Sequence, residues 1–453
     1  MFKTLKNAWR IPELKKKLLF TLLIVVIYRL GANIPVPYVD PHLFEEASAI
    51  SQGTILSFLN QLSGGALARA TLLALGVSPY ITASIVVQLL TVAFPNSLGK
   101  WSKDGEEGKK KITALTRIVT VGLALITAIG YALFLKNGGG QLGVTFLVVE
   151  PSFFHYAVIV MCYCAGAALV MWMAEKINES GIGNGISIIL FANIIAGLFS
   201  TATQLWTNIF PLGGFSSFDW VGLICSSASL IAMLAMVMLI VWMSDAERRI
   251  PIQYAKRVVG RKMYGGQNTN LPLKVNMSGV MPIIFASSIV SILPTIKEFM
   301  TKSNWFTRFV DKWFDADTWP YFVVFLILLI AFAYFYVAIS FNPVEVANNI
   351  KNNGGAIPGI RSGRPTVEFI KKVLNRITLV GALLVAFIAC FPMLVNNIAT
   401  MFDFNNHAIP PYGYFMPLMF VGSSMMIMVG VALETTRELE AQMTLRNYKG
   451  FLD

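Results

Sequence analysis

Apolar residues gather along this chain in long runs, and charged residues are confined to the stretches between them. A helix needs about 20 mostly apolar residues to cross a bilayer. Ten runs fit that requirement, at 18–36, 76–93, 113–135, 155–173, 185–206, 219–243, 280–296, 319–341, 376–395 and 412–433. The segment before the second run, "SGGALARATLLALG", is too short and too rich in small residues to span. Its apolar residues Leu67, Leu72 and Leu75 fall at helical spacing with Arg69 on another side, which predicts a short helix at about 63–75 that dips in and folds back.

Charge between the runs alternates. Residues 1–17 carry six basic and one acidic residue, 94–112 five and three, 244–279 seven and two, and 342–375 five and two. The intervening loops are acidic or balanced: Asp40, Glu45 and Glu46 stand against Arg69, and Lys136 against Glu150. The positive-inside rule then places both termini in the cytosol; only the 174–184 loop and the acidic tail lack the bias. The implied layout is a cytosolic segment 1–17, an N-terminal half 18–206, a C-terminal half 207–433 and a cytosolic tail 434–453. The basic start leads into a span with no small-residue cleavage site, so it reads as a retained first helix.

Composition agrees. Of 453 residues, 55% are hydrophobic and 13% charged, against about one-quarter charged in soluble proteins. The net charge of +12 is read as positive-inside bias, and no specific DNA binding is expected. The two long cytosolic loops, 244–279 and 342–375, exceed what that bias requires. "RRIPIQYAKR", "VVGRKMY" and "LPLKV" predict a hairpin with Arg257, Arg261 and Lys262 near its tip. "NNGGAIPGIRSGRPT" is punctuated by Gly and Pro around Arg361 and Arg364, and a solvated linker is the alternative reading of both loops.

No catalytic chemistry is written here. The sequence has no G-x-S-x-G, no H-E-x-x-H and no Walker P-loop. His42, His155 and His407 lie in or beside external loops, so no metal site is expected, and no cofactor either. Cys162, Cys164, Cys225 and Cys390 sit in apolar runs as packed thiols. "GIGNGIS" reads as a tight turn at a helix start rather than a dinucleotide fingerprint. Ionisable groups within the spans are few: Arg29 is placed to snorkel outward, and Arg117 lies one turn inside span three. The lack of acidic residues at mid-span argues against an ion-coupled symporter, though not against a carrier that binds ions with backbone carbonyls.

One motif occurs twice. "GVSPYITASIVV" from Gly76 and "GVMPIIFASSIV" from Gly279 share seven of twelve positions, including Gly76/Gly279, Pro79/Pro282, Ile81/Ile284 and Ser84/Ser287. Gly/Pro-interrupted segments at matching places in two halves point to a central pathway between inverted repeats. With five spans per half, the halves must be inverted, and the motifs meet near a pseudo-two-fold axis. Ile81 and Ile85, one turn apart, and Ile284 would line an apolar constriction that seals by dewetting, whereas ordinary interhelix packing accounts for each isoleucine alone.

"SGGALARATLLALGVSPYITASIVVQLLTV", "GIGNGISIILFANIIAGL", "YAKRVVGRK", "LPLKVNMSGVMPIIFASSI" and "NPVEVANNIKNNGGAIPGIRSGRPT" closely resemble the SecY family, the channel subunits of the bacterial protein translocase. The resemblance implies an all-α polytopic membrane protein, ten helices in two inverted five-helix halves around a central pore, with no enzyme activity. It implies a channel that moves unfolded preproteins across the bacterial cytoplasmic membrane and releases nascent membrane proteins sideways into the lipid bilayer. The pore ring would be Ile81, Ile85, Leu190, Ile194, Ile284 and Ile427. The segment at 63–75 would be a plug helix, including Gly64, Gly65, Ala66, Leu67, Arg69 and Leu72. A lateral gate would run between spans two and seven, at Pro79, Ser84, Gln88, Pro282, Ser287 and Ser288. Arg257, Arg261, Lys262 and Arg361 would dock the SecA motor or the ribosome, and SecE and SecG would be membrane partners. The alternatives from other classes are an inverted-repeat secondary transporter for a small solute and a structural scaffold.

Overall fold

Helices occupy the predicted runs. The computed structural model describes residues 2–40, 60, 63–96, 98–136, 152–209, 220–254, 257–259, 262–264, 268–298, 304–314, 318–401 and 421–449. The N-terminal half holds α1 (Phe2–Arg10), α2 (Pro12–Gly31), α3 (Ser78–Ala93), α4 (Leu98–Lys103), α5 (Gly105–Lys136), α6 (Phe153–Ser180) and α7 (Gly185–Ile209). The C-terminal half opens with α8 (Trp220–Asp245) and strands β1 (Glu247–Tyr254), β2 (Arg257–Val259), β3 (Lys262–Tyr264) and β4 (Asn268–Lys274). It continues with α9 (Met281–Glu298), α10 (Trp305–Trp313), α11 (Trp319–Ser340), α12 (Pro343–Asn352), β5 (Gly355–Ala356), α13 (Arg364–Met401) and α14 (Val421–Lys449). Ten of these, α2, α3, α5 to α9, α11, α13 and α14, overlap the ten expected spans, and residues 412–420 of the last span lie outside the described residues.

Among the described residues, five segments are long and apolar enough to cross a membrane by length and composition alone, and Ser78–Ala93, Gly185–Phe199 and Met281–Pro294 are shorter apolar helices. Their outer faces carry bare aliphatic and aromatic side chains, such as Ile118, Phe199, Met238 and Trp242, at 70–76% exposure. Surface of that kind belongs against lipid. Helix α3, with 16 residues, is about 24 Å long, short of the roughly 30 Å hydrocarbon core. Residues 63–77 precede it as a packed, irregular stretch.

The repeated motif has one conformation in both places. Gly76 and Gly279 take φ of 55° and 63°, where an L side chain is strained, so glycine makes the turn. The prolines follow in the first helical turn, where a missing N–H leaves nothing unsatisfied. The amides of Tyr80 and Ile81 both donate to Val77 O at 3.0 Å, and their counterparts Ile283 and Ile284 donate to Val280 O at 3.1 and 3.3 Å. Gly76 and Gly279 therefore mark where helices begin, and the helices themselves are unbroken there.

The halves touch along α3 and α9 on one side and where α7 meets α8 and α14 on the other. A single apolar core runs through both and includes residues of α2, α3, α6, α7, α8, α9, α11, α13 and α14. The turn "GIGNG" is as expected: Gly185 N donates to Asn178 Oδ1 at 2.7 Å, and a Cβ at Gly185 would lie 2.0 Å from Ala174 O. The tail does not form a separate unit, since α14 runs straight through residue 433 to Lys449. Its extension packs Leu439 with Ala8, Leu14 and Ile182. The N-terminus, the 181–184 turn and the tail therefore gather at one end of the molecule.

Candidate functional site

The six aliphatic side chains expected to form the ring are all buried. Ile81 and Ile85 come from α3, Leu190 and Ile194 from α7, Ile284 from α9 and Ile427 from α14; each is 1–3% exposed and all belong to one cluster. Ile81 and Ile284 each lie within one turn of the first residue of their helices, Ser78 and Met281, so the Gly–Pro turns set which face they present. Such a lining can exclude water; it offers nothing that binds an ion.

Residues 63–77 differ from their prediction. The sequence leads to a helix at about 63–75; residues 64–70 and 72–77 are instead a string of turns. Gly64 and Gly65 take φ of 67° and 85°, and Ala70 takes 45°, so the chain leaves right-handed helical space repeatedly. Backbone groups deprived of a helix must find other partners. Leu72 N donates to Ile34 O at 2.8 Å, Val36 N to Ala70 O at 3.1 Å, and Tyr131 Oη to Leu67 O at 3.0 Å. Ser63 Oγ accepts from Leu67 N, and Asn60 Oδ1 from Ala68 N. Ala66 and Leu67 are buried, half-buried Leu72 packs on the central cluster, and exposed Arg69 donates to Asn33 Oδ1. Neighbouring helices approach closely: a Cβ at Gly166 of α6 would sit 1.9 Å from Leu72 O.

Arg29 does not snorkel outward. Its Nη1 donates to Gly64 O and to Asn193 Oδ1, both at 3.3 Å, and Asn193 Nδ2 donates to Tyr28 Oη at 2.9 Å. Asn193 and Tyr28 are fully buried. This polar line ties α2, α7 and the turned segment together beside the apolar centre. The available signal was a polar side chain inside an apolar run, Asn193 in "LFANII". A second pair was also missed. Helix α6 continues past the expected span, bringing Glu175 to Arg117 in a two-pronged contact, with Nε 3.0 and 2.9 Å from the two carboxylate oxygens.

The remaining expected residues fall in two places. Pro79, Ser84 and Gln88 of α3 and Pro282, Ser287 and Ser288 of α9 lie on the two helices that join the halves; Gln88 Nε2 donates to Ser84 Oγ, and buried Ser287 Oγ to Ile284 O. The loop residues lie at the opposite end from the turned segment. β1 with β4 and β2 with β3 keep one register, Glu247↔Lys274 through Val259↔Lys262, so 247–274 is a single long hairpin. Arg257 and Lys262 are in the strands nearest its tip, and Arg261 lies outside the described residues. The second loop is no solvated linker. β5 pairs with β1 to give a sheet in the order β4-β1-β5, and α12 covers it with Ala347 and Ile350 against Ile250 and Ile252. Arg361 is exposed in the turn that follows, between Gly359 and Gly363 at φ of 81° and 113°.

A cavity of about 620 Å³ opens at the hairpin's base, lined by Lys274, Val280, Gly430, Glu434 and Arg437 among others. Burial, with Arg437 nearby, holds the Lys274 ammonium below its usual pKa. Val280, one turn before Ile284, both lines this cavity and belongs to the apolar cluster, and Gly430 follows Ile427 by about one turn, so the cavity reaches the cluster.

Comparison with known proteins gives a consistent picture. Three solved structures share the fold. One described as "The structure of a protein conducting channel" has a TM-score of 0.60 at 16% identity, covering 94% of this chain and 92% of that one. One described as a SecY plug-domain study has 0.58 at 18% identity with the same coverage, and canine Sec61 in a ribosome–channel complex has 0.57 at 15%. Protein translocase subunit SecY of Streptomyces coelicolor is 42% identical over 458 residues, covering 100% of both chains, and that of Mycobacterium bovis is 41% identical, covering 98% of each. The SecY family model matches residues 71–436, a stretch that holds all the helices of the central cluster but α2. With that match and relatives aligned end to end, this multi-pass membrane protein belongs to the SecY family.

Proposed function

We propose that the chain is the pore-forming, non-enzymatic subunit of a protein translocase, passing unfolded polypeptides across the bacterial cytoplasmic membrane and releasing transmembrane segments laterally. The observation that carries this reading is the centre itself. Aliphatic residues from both halves are buried in one apolar cluster, and a segment with no regular helix packs against it. A lining of branched aliphatics seals by dewetting and yields around a passing chain of any sequence. Ile81, Ile85, Leu190, Ile194, Ile284 and Ile427 form the ring in this reading. Gly64, Gly65, Ala66, Leu67, Arg69 and Leu72 belong to the plug, held by side-chain and bridging hydrogen bonds that break without unwinding a helix. The gate is the α3–α9 seam at Pro79, Ser84, Gln88, Pro282, Ser287 and Ser288.

Partners follow from the family and from the loops. The neighbours include channels described in ribosome complexes, Sec61 and Ssh1. For this chain we assign the ribosome and SecA to Arg257, Arg261, Lys262 and Arg361, and SecE and SecG to the membrane faces. Loop charge supports placing both termini and the sheet in the cytosol. The test has two arms. In planar bilayers the intact protein stays electrically tight and conducts after deletion of 63–75; a tight deletion variant overturns the pore. In inverted vesicles of matched channel content, Arg361→Glu abolishes motor-driven export and Arg361→Lys impairs it, because lysine lacks the planar fork. Full export by Arg361→Glu removes the docking role and leaves the pore standing.

A further inference from the structure

Helix α10, between α9 and α11, presents an unusual face. Trp305, Phe309 and Trp313 are 79%, 39% and 42% exposed, with Trp305 and Phe309 stacked at 5.8 Å and Phe309 and Trp313 at 6.4 Å. Arg308 and Lys312 are exposed too. The five stand at i, i+3, i+4, i+7 and i+8, which is one side of a helix. Away from that face Thr307 and Val310 are buried, and the exposed Asp311 is neutralised by its pair with Lys297 at the end of α9. A self-capping start, with Asn304 N donating to Thr307 Oγ1 at 2.8 Å, defines the helix locally.

The chain fixes where this face lies. Six residues separate α10 from α9 and five separate it from α11, and both neighbours bear exposed aliphatic side chains along their spans, such as Ile292 and Ile327. Helix α10 is therefore held at the bilayer boundary, on the face opposite the β-sheet. Trp319, at the start of α11, is also exposed and continues the aromatic band. Indole rings favour the headgroup level, and two cations with no acidic residue among the five face positions match anionic lipid.

We propose that α10 lies in the membrane–water interface, with Trp305, Arg308, Phe309, Lys312 and Trp313 immersed among anionic lipid headgroups. Through the Lys297–Asp311 pair it fixes the depth of the end of α9. This does not depend on what the centre conducts.

The test uses the full chain in vesicles, with its four cysteines changed to alanine. Phe309→Cys carries a bimane label, and Trp313→Cys serves if that variant fails to fold. Brominated phosphatidylcholine quenches the label, and iodide in the buffer does not. Brominated phosphatidylglycerol quenches about twofold more strongly, since each basic residue draws anionic lipid. Arg308→Gln with Lys312→Gln erases that preference and leaves quenching by phosphatidylcholine intact. Iodide quenching without lipid quenching means a solvated helix, and protection from both quenchers means a protein covers the face. Either result, or an absent preference for phosphatidylglycerol, overturns the proposal.

Discussion

Gly76 and Gly279 make the same turn and hand the chain to helices of matching sequence, yet what precedes them differs. Before Gly279 the chain leaves strand β4, at the foot of a hairpin outside the membrane spans. Before Gly76 it leaves residues 63–75, packed against α2 and α6. A helix start is therefore a local device that serves either context. What distinguishes the copies is how the upstream backbone satisfies its hydrogen bonds: β4 uses β1, whereas the turned segment relies on Tyr131, Arg29, Asn60 and the 34–36 stretch.

The largest expected effect comes from breaking what the copies share. Ile81→Asn with Ile284→Asn raises resting conductance at least about tenfold in planar bilayers, because amides let water wet the constriction. If water reaches them, each site costs about 1 kcal/mol or less in thermal stability. A membrane that stays tight while each substitution costs about 3 kcal/mol identifies both as ordinary core.

Next is an interaction that the N-terminal half builds between its own spans. Glu175→Ala leaves the half-exposed Arg117 guanidinium without its two-pronged acceptor, and destabilisation by about 2–3 kcal/mol is expected in thermal unfolding of the purified protein. Glu175→Gln keeps an acceptor and should lose less. Equal stability of wild type and Glu175→Ala would show that the pair contributes nothing.

The third prediction sets a glycine of each region against the other. Gly279→Ala costs about 1 kcal/mol, since φ is 63° and a Cβ there meets nothing within 4 Å. Gly64→Ala costs about 2–3 kcal/mol and unseats the turned segment, because its Cβ would stand 2.5 Å from Arg29 Nη1 and 3.1 Å from Asn193 Cα. Equal costs would mean that the packing around residue 64 yields freely.

The smallest effect is the polar tie. Arg29→Gln loosens two hydrogen bonds of 3.3 Å, worth about 1 kcal/mol in all, or about fivefold in the seated population. The thiol-labelling rate of a Leu67→Cys reporter, buried at 6% exposure, should rise by that factor. An unchanged rate means that the bonds to Tyr131, Asn60 and residues 34 and 36 seat the segment without Arg29.

Much of this architecture is legible in the residues. The ten spans, the long hairpin and the matched helix starts all follow from hydropathy, alternation and Gly–Pro spacing, and Arg361 is exposed in a turn as its flanking glycines require. The 63–75 stretch went wrong because leucines at helical spacing also occur in a chain of turns. Gly64, Gly65 and Ala70 at positive φ decide between the two.

The sequence by itself determined where helices begin and which stretches enter lipid, because backbone preference and transfer free energy depend on a residue and its near neighbours. Tertiary structure alone decided that Arg29 meets Asn193 across 164 residues, that Arg117 meets Glu175 across 58, and that β5 joins the hairpin's sheet. In those cases the favourable free energy comes from satisfying a polar group away from water. Which distant partner satisfies it is fixed only when the helices pack.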